Sequence, residues 1–201
     1  TNLEIISAAA RSAGKPFWGF YQSVVWGKMP PRTRAQLRLE SFGNLVYGAQ
    51  CIQAFTYWTP GFPDHRDAPI GLDGRRTPVY ELVKTVNGEI RAWSRVFKDA
   101  RVLDVSHAGP ALPLGTRPFA AKRGVSGVDV GSGGAVVSFL KKGDVTFVAL
   151  LNKDLQKALA LKIRFDDPAR VLDVRKDGVD RSVGGSEFIL EPGDLRGFRL
   201  P

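Results

Sequence analysis

Gln50-Cys-Ile-Gln-Ala-Phe-Thr-Tyr-Trp-Thr-Pro60 is an apolar, aromatic-rich run of strand length, and the rest of the chain is arranged around it. A helical pattern ends just before it at Gly48, and a loop opens just after it at Pro60-Gly61-Phe62-Pro63. A second helical pattern starts at Thr77-Pro78. A strand with helices on either side in sequence is expected to be buried on both faces, which is why it reads as a near-continuous apolar run. Its end, Tyr57, Trp58 and Thr59, carries side chains that stack and hydrogen-bond. That end is either a ligand platform or core.

Upstream, residues 1–13 have helical spacing, with Leu3, Ile6, Ala10 and Ala13 on one face, capping-box spacing between Thr1 and Glu4, and a stop at Gly14. Residues 16–25, Pro-Phe-Trp-Gly-Phe-Tyr-Gln-Ser-Val-Val, suit a buried strand. Gly19 inside that run marks a close backbone approach or a bulge. Gly27 and Pro30-Pro31 make residues 26–32 a loop. Thr33 and Gln36 form a second capping box, followed by Leu39, Phe42, Leu45 and Val46 at helical spacing. Residues 60–76 form a loop long enough to be functional or mobile. Thr77 caps, and Pro78 opens, an amphipathic helix carrying Val79, Val83, Val86, Ile90, Trp93 and Phe97. The order α-β-α-β-α predicts a parallel sheet with crossover helices. Two strands leave unpaired edges and too little sheet for three helices. This half is either completed by other chain or is the remnant of a larger α/β unit.

Beyond residue 101 the pattern changes to short alternating runs, among them residues 135–140, 145–151, 159–165, 171–174, 187–190 and 195–200. Turn residues separate them, as in Lys141-Lys-Gly-Asp144, Asn152-Lys-Asp154 and Pro192-Gly-Asp194. Regular spacing of this kind predicts an antiparallel β-sandwich. The expected fold class is therefore α/β plus all-β, with residues 1–100 and 101–201 as the two units and the boundary within residues 99–113. Gly131-Ser-Gly-Gly134 is a turn and not a phosphate loop, because no Lys-Ser/Thr pair and no helix follow it.

The formal net charge is +9, but the longest basic runs are pairs and no nucleic-acid motif accompanies them, so no nucleic-acid partner is expected. No apolar run approaches the ~20 residues of a membrane span, so no membrane partner is expected either. A single cysteine, Cys51, permits no internal disulfide and reads as a small buried hydrophobe. With two histidines beside it, the strong zinc patterns are missing, and neither a metal nor a cofactor is expected.

Thr33-x-x-Gln36-Leu37-Arg38, Tyr47-Gly48-Ala49-Gln50-x-Ile52 and Phe55-Thr56-Tyr57-Trp58-Thr59-Pro60 together resemble the last third of a (β/α)8-barrel glycoside hydrolase of the β-galactosidase-like kind. Gly71-Leu72-Asp73-Gly74 and Thr77-x-x-Tyr80 resemble the segment between its eighth strand and eighth helix. The second half, with Val148-x-Leu150-Leu151-Asn152-Lys153-Asp154 and Leu190-Glu191-Pro192-Gly193-Asp194, is similar to the small β domain that follows such barrels. The resemblance implies that residues 16–25 and 50–59 are barrel strands seven and eight and that the substrate is a carbohydrate. It also implies an extracellular or periplasmic setting. Its partner would be the N-terminal portion of the barrel or a second copy of the chain. A full barrel has eight strands, and most glycosidases flank the scissile bond with two carboxylates. In many such barrels the nucleophile ends strand seven, yet Gln22 and Ser23 stand there. Gln22 can bond a sugar hydroxyl but cannot attack. Either the carboxylate lies elsewhere, the correspondence is shifted, or the chain does not catalyse; the catalytic residues stay unassigned.

The expected sugar-binding set is Gln22, Trp26, Tyr57, Trp58, Asp64 and His65. Sugar rings pack their C–H faces on aromatic rings and need few fixed polar groups around them. Side chains alternate along a strand, so only one of Tyr57 and Trp58 faces the barrel interior. Trp58 is either that platform or core, Trp18 reads as core, and Trp26 can line the barrel mouth. In Asp64-His65-Arg66-Asp67 a histidine usable near neutral pH lies between carboxylates, and the alternative is a solvated loop. Asp73 in Leu-Asp-Gly-Arg reads as a turn residue. His107 has no partner visible in sequence. Ser23 lacks the Gly-x-Ser-x-Gly elbow of a serine nucleophile. Asn152, Asp154, Asp166 and Asp167 either meet around calcium or, more simply, shape turns.

Overall fold

The structure, a computed structural model, describes residues 2–201. The cap expected at Thr1 lies outside the described residues. Helix α1 (Asn2–Ser12) leads to strand β1 (Trp18–Gln22), β2 (Val25–Trp26), α2 (Arg34–Val46), β3 (Cys51–Phe55), β4 (His65–Arg66) and α3 (Pro78–Phe97). Strands β5 (Arg101–Ala108), β6 (Val125–Asp129), β7 (Ala135–Lys142), β8 (Val145–Asn152), β9 (Leu159–Phe165), β10 (Leu172–Val174), β11 (Arg181–Ser182), β12 (Glu187–Leu190) and β13 (Leu195–Leu200) follow, with one 3-10 turn at Pro168–Arg170. The fold is mixed, with helices on a parallel strand pair followed by antiparallel sheets.

Both capped helices start where the sequence places them. Thr33 and Gln36 make the reciprocal capping box of α2, and the Thr77 side chain accepts from the Val79 amide ahead of α3. β1 and β3 pair in parallel, with Trp18 opposite Cys51 and Gln22 opposite Phe55. One face of this pair packs on the helices through Tyr21, Leu37, Val79, Val83 and Val86. Gly19 is a close approach, because a Cβ there would lie 1.9 Å from Asn44 Oδ1 on α2. Side chains of Asn44 and Glu40 then reach β1, where they bond the carbonyl of Phe20 (3.0 Å) and the amide of Gln22 (2.7 Å).

The other side of α2 and α3 packs on a six-stranded sheet of order β11-β10-β13-β8-β7-β5. Phe42, Leu45, Trp93 and Phe97 meet Val102, Leu140, Phe147 and Leu151 there. The sheet's far face shares a second core with a three-stranded sheet, β12-β9-β6, in which Phe139, Val148, Leu150 and Phe198 meet Leu159, Leu161 and Ile163. Every pairing in these two sheets is antiparallel.

Some of these readings need correction. The run 16–25 is not one strand: β1 ends at Gln22, and after Ser23 and Val24 the chain re-enters as β2, paired with β4 and not with β3. The loop 60–76 supplies β4. The opening run stops as a strand at Phe55 and has cover on one face only, so Trp18 (63% exposed), Phe20 and Phe55 lie open where core was expected. Cys51 at its start is half-buried. The second unit as read from sequence, residues 101–201, begins with the eight-residue strand β5, which pairs with β7 along the sheet edge.

Candidate functional site

Gln22 and Phe55 end β1 and β3 side by side. Just past them the chain is tied together. The Ser23 amide donates to the Phe55 carbonyl (2.7 Å), and its buried hydroxyl donates to the Thr56 carbonyl (2.7 Å). Ser23 is therefore spent on structure. Beyond it β2 pairs antiparallel with β4, which puts Trp26 opposite His65. Their rings stack with centroids 5.2 Å apart and planes 24° from parallel. The Trp26 indole N–H donates to Asp64 Oδ2, and His65 Nδ1 lies 2.8 Å from Asp64 Oδ1. Arg66 holds the adjoining turn by donating to the carbonyls of Gly27 (2.6 Å) and Met29 (2.8 Å).

These contacts fix the chemistry of the cluster. The Trp26 donor, and after it His65, hold the Asp64 carboxyl below the ordinary aspartate value, so it is an acceptor at neutral pH. With Nδ1 directed at a carboxylate, the second ring nitrogen of His65, Nε2, is left without a hydrogen-bond partner among the described residues. The indole face of Trp26 is half exposed.

Trp58 sits at the same end of the strands, carried past the cis Phe55–Thr56 peptide and joined to Ile70 by a parallel bridge. Its carbonyl accepts from Thr56 Oγ1 (2.5 Å). Below it, buried Thr59 donates to the Ile70 carbonyl (2.9 Å) and accepts from the Ala68 amide (3.1 Å). The Trp58 ring lies across the Gly71–Gly74 turn, where a Cβ on Gly74 would stand 3.8 Å from Cη2. It is half exposed as well. Tyr57 parts from this group. It faces α3 and lines a groove of about 400 Å³ with Tyr80, Val83, Lys84 and Arg91.

Gln22 is less free than its position promised. Its amide donates to the Val24 carbonyl (2.8 Å) and to Met29 Sδ (3.4 Å), leaving Oε1 for a ligand. The site therefore gathers Trp26, Asp64 and His65 in contact, with Gln22 and Trp58 at the same strand ends and Tyr57 outside. Phe62, whose ring centroid lies 5.4 Å from that of His65, is an addition to the expected set. Phe62 had a signal: an exposed aromatic between Gly61 and Pro63 has no strand or helix to bury it. Glu40, close by on α2, is ion-paired with buried Arg32 and accepts from the Gln22 amide, so it supplies no free carboxylate. Asp73 caps a turn by accepting from the Arg75 amide (3.0 Å), and Asp67 lies beside Arg66. Asn152 and Asp154 are likewise consumed by backbone amides and carbonyls of their own turn and of residues 190 and 191. Among the described residues, no three His, Cys, Asp or Glu side chains gather as a metal would require.

No protein-family model and no curated protein matches the chain. Among solved structures it is similar to the gamma-CGTase of alkalophilic Bacillus clarkii, with 12% identity, a TM-score of 0.42, and coverage of 95% of this chain and 28% of that one. It is also similar to a GH30 endoxylanase from Clostridium papyrosolvens C71, with 10% identity, a TM-score of 0.37, and coverage of 95% and 43%. The chain thus spans less than half the length of either.

Proposed function

We propose that this chain is the C-terminal part of a carbohydrate-active protein of the barrel glycosidase kind, and that its own role is to hold a sugar at the barrel mouth. One observation carries the reading: the half-exposed Trp26 ring, stacked on His65 and bonded to the ionised Asp64, stands beyond the C-terminal ends of a parallel strand pair. In parallel α/β folds that end is where ligands bind. An aromatic face beside a fixed carboxylate and a free imidazole nitrogen suits a pyranose, whose C–H face packs while its hydroxyls donate and accept. The sequence resemblance adds β-galactosides as the first ligands to try.

In this reading β1 and β3 are adjacent barrel strands, and further parallel strands cover the Trp18–Phe20–Phe55 face and pair with the two free edges. Residues 101–201 then form a β-sandwich behind residues 1–100. A second reading, a binding module without hydrolysis, is favoured by Gln22 and Ser23, because neither strand end carries a carboxylate.

Titration of the chain with β-galactosides and xylo-oligosaccharides, followed by tryptophan fluorescence and by release of reducing sugar, tests both. Binding without release is expected, and Trp26→Ala is expected to weaken it by about tenfold, the loss of roughly 1.4 kcal/mol. Absence of binding to every saccharide overturns the sugar role. Turnover that survives the loss of Asp64 overturns the assignment of the site.

A further inference from the structure

We propose a second ligand site, for a small organic anion with an apolar body, at the opposite end of the parallel strands. Residues just before β1, just before β3 and between α3 and β5 line, with the last turn of α1, an open cleft of about 560 Å³. That size suits a small molecule. It stands independently of the sugar reading, because its walls lie at the strands' N-terminal ends.

The floor is apolar, made by Ala10, Phe17 and Val102, the last two nearly buried. Gly48 lets the α2–β3 turn close onto it. Its φ is +97°, and a Cβ there would stand 2.8 Å from Val102 Cγ2. The Gln50 amide on the wall is already satisfied, donating to the carbonyls of Gly48 (3.2 Å) and Phe97 (3.3 Å) and accepting from the Asp99 amide (2.9 Å). What remains unmatched is positive charge. Arg11, Lys15 and Arg101 line the cleft, and among the described residues none of their side chains has an ion pair or hydrogen bond. Asp99 is the single carboxylate on the wall.

An apolar floor under three free cations selects a ligand that carries both features. Arginine recognises carboxylate or phosphate through paired donors, while the floor rewards an attached ring or chain. A nucleic-acid strand asks for a track of cations with exposed aromatic platforms, whereas the aromatics here, Phe17 and Tyr47, are buried.

Phenyl phosphate is the probe, with inorganic phosphate and benzyl alcohol as its separate halves, followed by amide chemical shifts of the full chain at low salt. Phenyl phosphate is expected to shift residues 10–17, 48–50 and 99–102, and each half to bind at least about tenfold more weakly. Lys15→Gln and Arg101→Gln, both exposed and safe for folding, each weaken binding several-fold. Asp99→Asn tightens it by removing the opposing charge, and asparagine tolerates the left-handed φ of +60° at that position. Equal binding of benzyl alcohol, shifts elsewhere, or indifference to all three substitutions overturns the proposal.

Discussion

Asp64 lies between two donors, the Trp26 indole and His65, which tie the loop to β2 at this point. Each donor favours the charged carboxylate, so its pKa falls. The sign can be checked directly. Carboxyl carbon NMR is expected to give Asp64 a midpoint below that of an ordinary aspartate, and Trp26→Phe, which keeps the ring but removes the N–H, moves it upward. A midpoint unmoved by Trp26→Phe contradicts the pairing. Sequence alone supplied Trp26, Asp64 and His65 as candidates, but not their contact. That contact spans 38 residues and depends on β2 and β4, strands of two residues each, too short to leave a periodic signal. Gly19 was legible, because a glycine inside an aromatic strand implies something close overhead, here Asn44.

At the scale of elements, α2 is held by a charged cluster. Its buried Arg38 donates to both oxygens of Glu89 on α3 (2.7 and 2.5 Å) and to Glu191 after β12 (2.7 Å). Lys176 reaches Asp194 (2.6 Å) in the same cluster, and Gly193, where a Cβ would lie 2.3 Å from the Ala35 carbonyl, brings that turn against the helix. Burial alone raises the pKa of Glu89, but the bonds to Arg38 and the charge of Lys176 bring it down overall. Removing Arg38 takes from the largely buried Glu89 its two-bond partner and leaves only Lys176, 3.6 Å away, a loss of about 3 kcal/mol. Arg38→Ala is therefore expected to lower the urea midpoint by that order of stability, and Arg34→Ala, at an exposed pair, by under about 1 kcal/mol. Equal effects would contradict the network. The helices were legible from their caps and apolar spacing. β5 was not, because Asp104, Ser106 and His107 interrupt its apolar run. Structure supplies their reasons: Asp104 pairs with Lys122 (3.1 Å) and Arg117 (3.3 Å), while His107 Nε2 meets the Tyr47 hydroxyl (3.0 Å).

For the whole molecule, His107 joins α1, α2 and the large sheet, lying 3.5 Å from Glu4 as well as against Tyr47. Burial, with the nearby charge of Lys153, lowers its pKa from the ordinary 6.5 despite the pull of Glu4. The unfolded chain then binds the proton first, so stability holds above pH ~6.5 and declines as pH falls below it toward the folded pKa. Chemical denaturation across pH 7.5 to 5.5 is expected to show that decline, and His107→Gln to flatten it; an unchanged slope contradicts the assignment. The layered order of helices and antiparallel sheets was legible from the change in hydrophobic period near residue 100. The open face of β1 and β3 was not, because an apolar strand reads the same whether or not a neighbour covers it. The central claim is that the ends of those two strands hold a sugar. The chain has four tryptophans, and Trp93 is buried away from the site. Indole N–H resonances recorded during a β-galactoside titration test the claim most directly. The account predicts shifts at Trp26 and Trp58 with Trp93 unmoved; four unmoved indoles, or a response confined to Trp18, would contradict it.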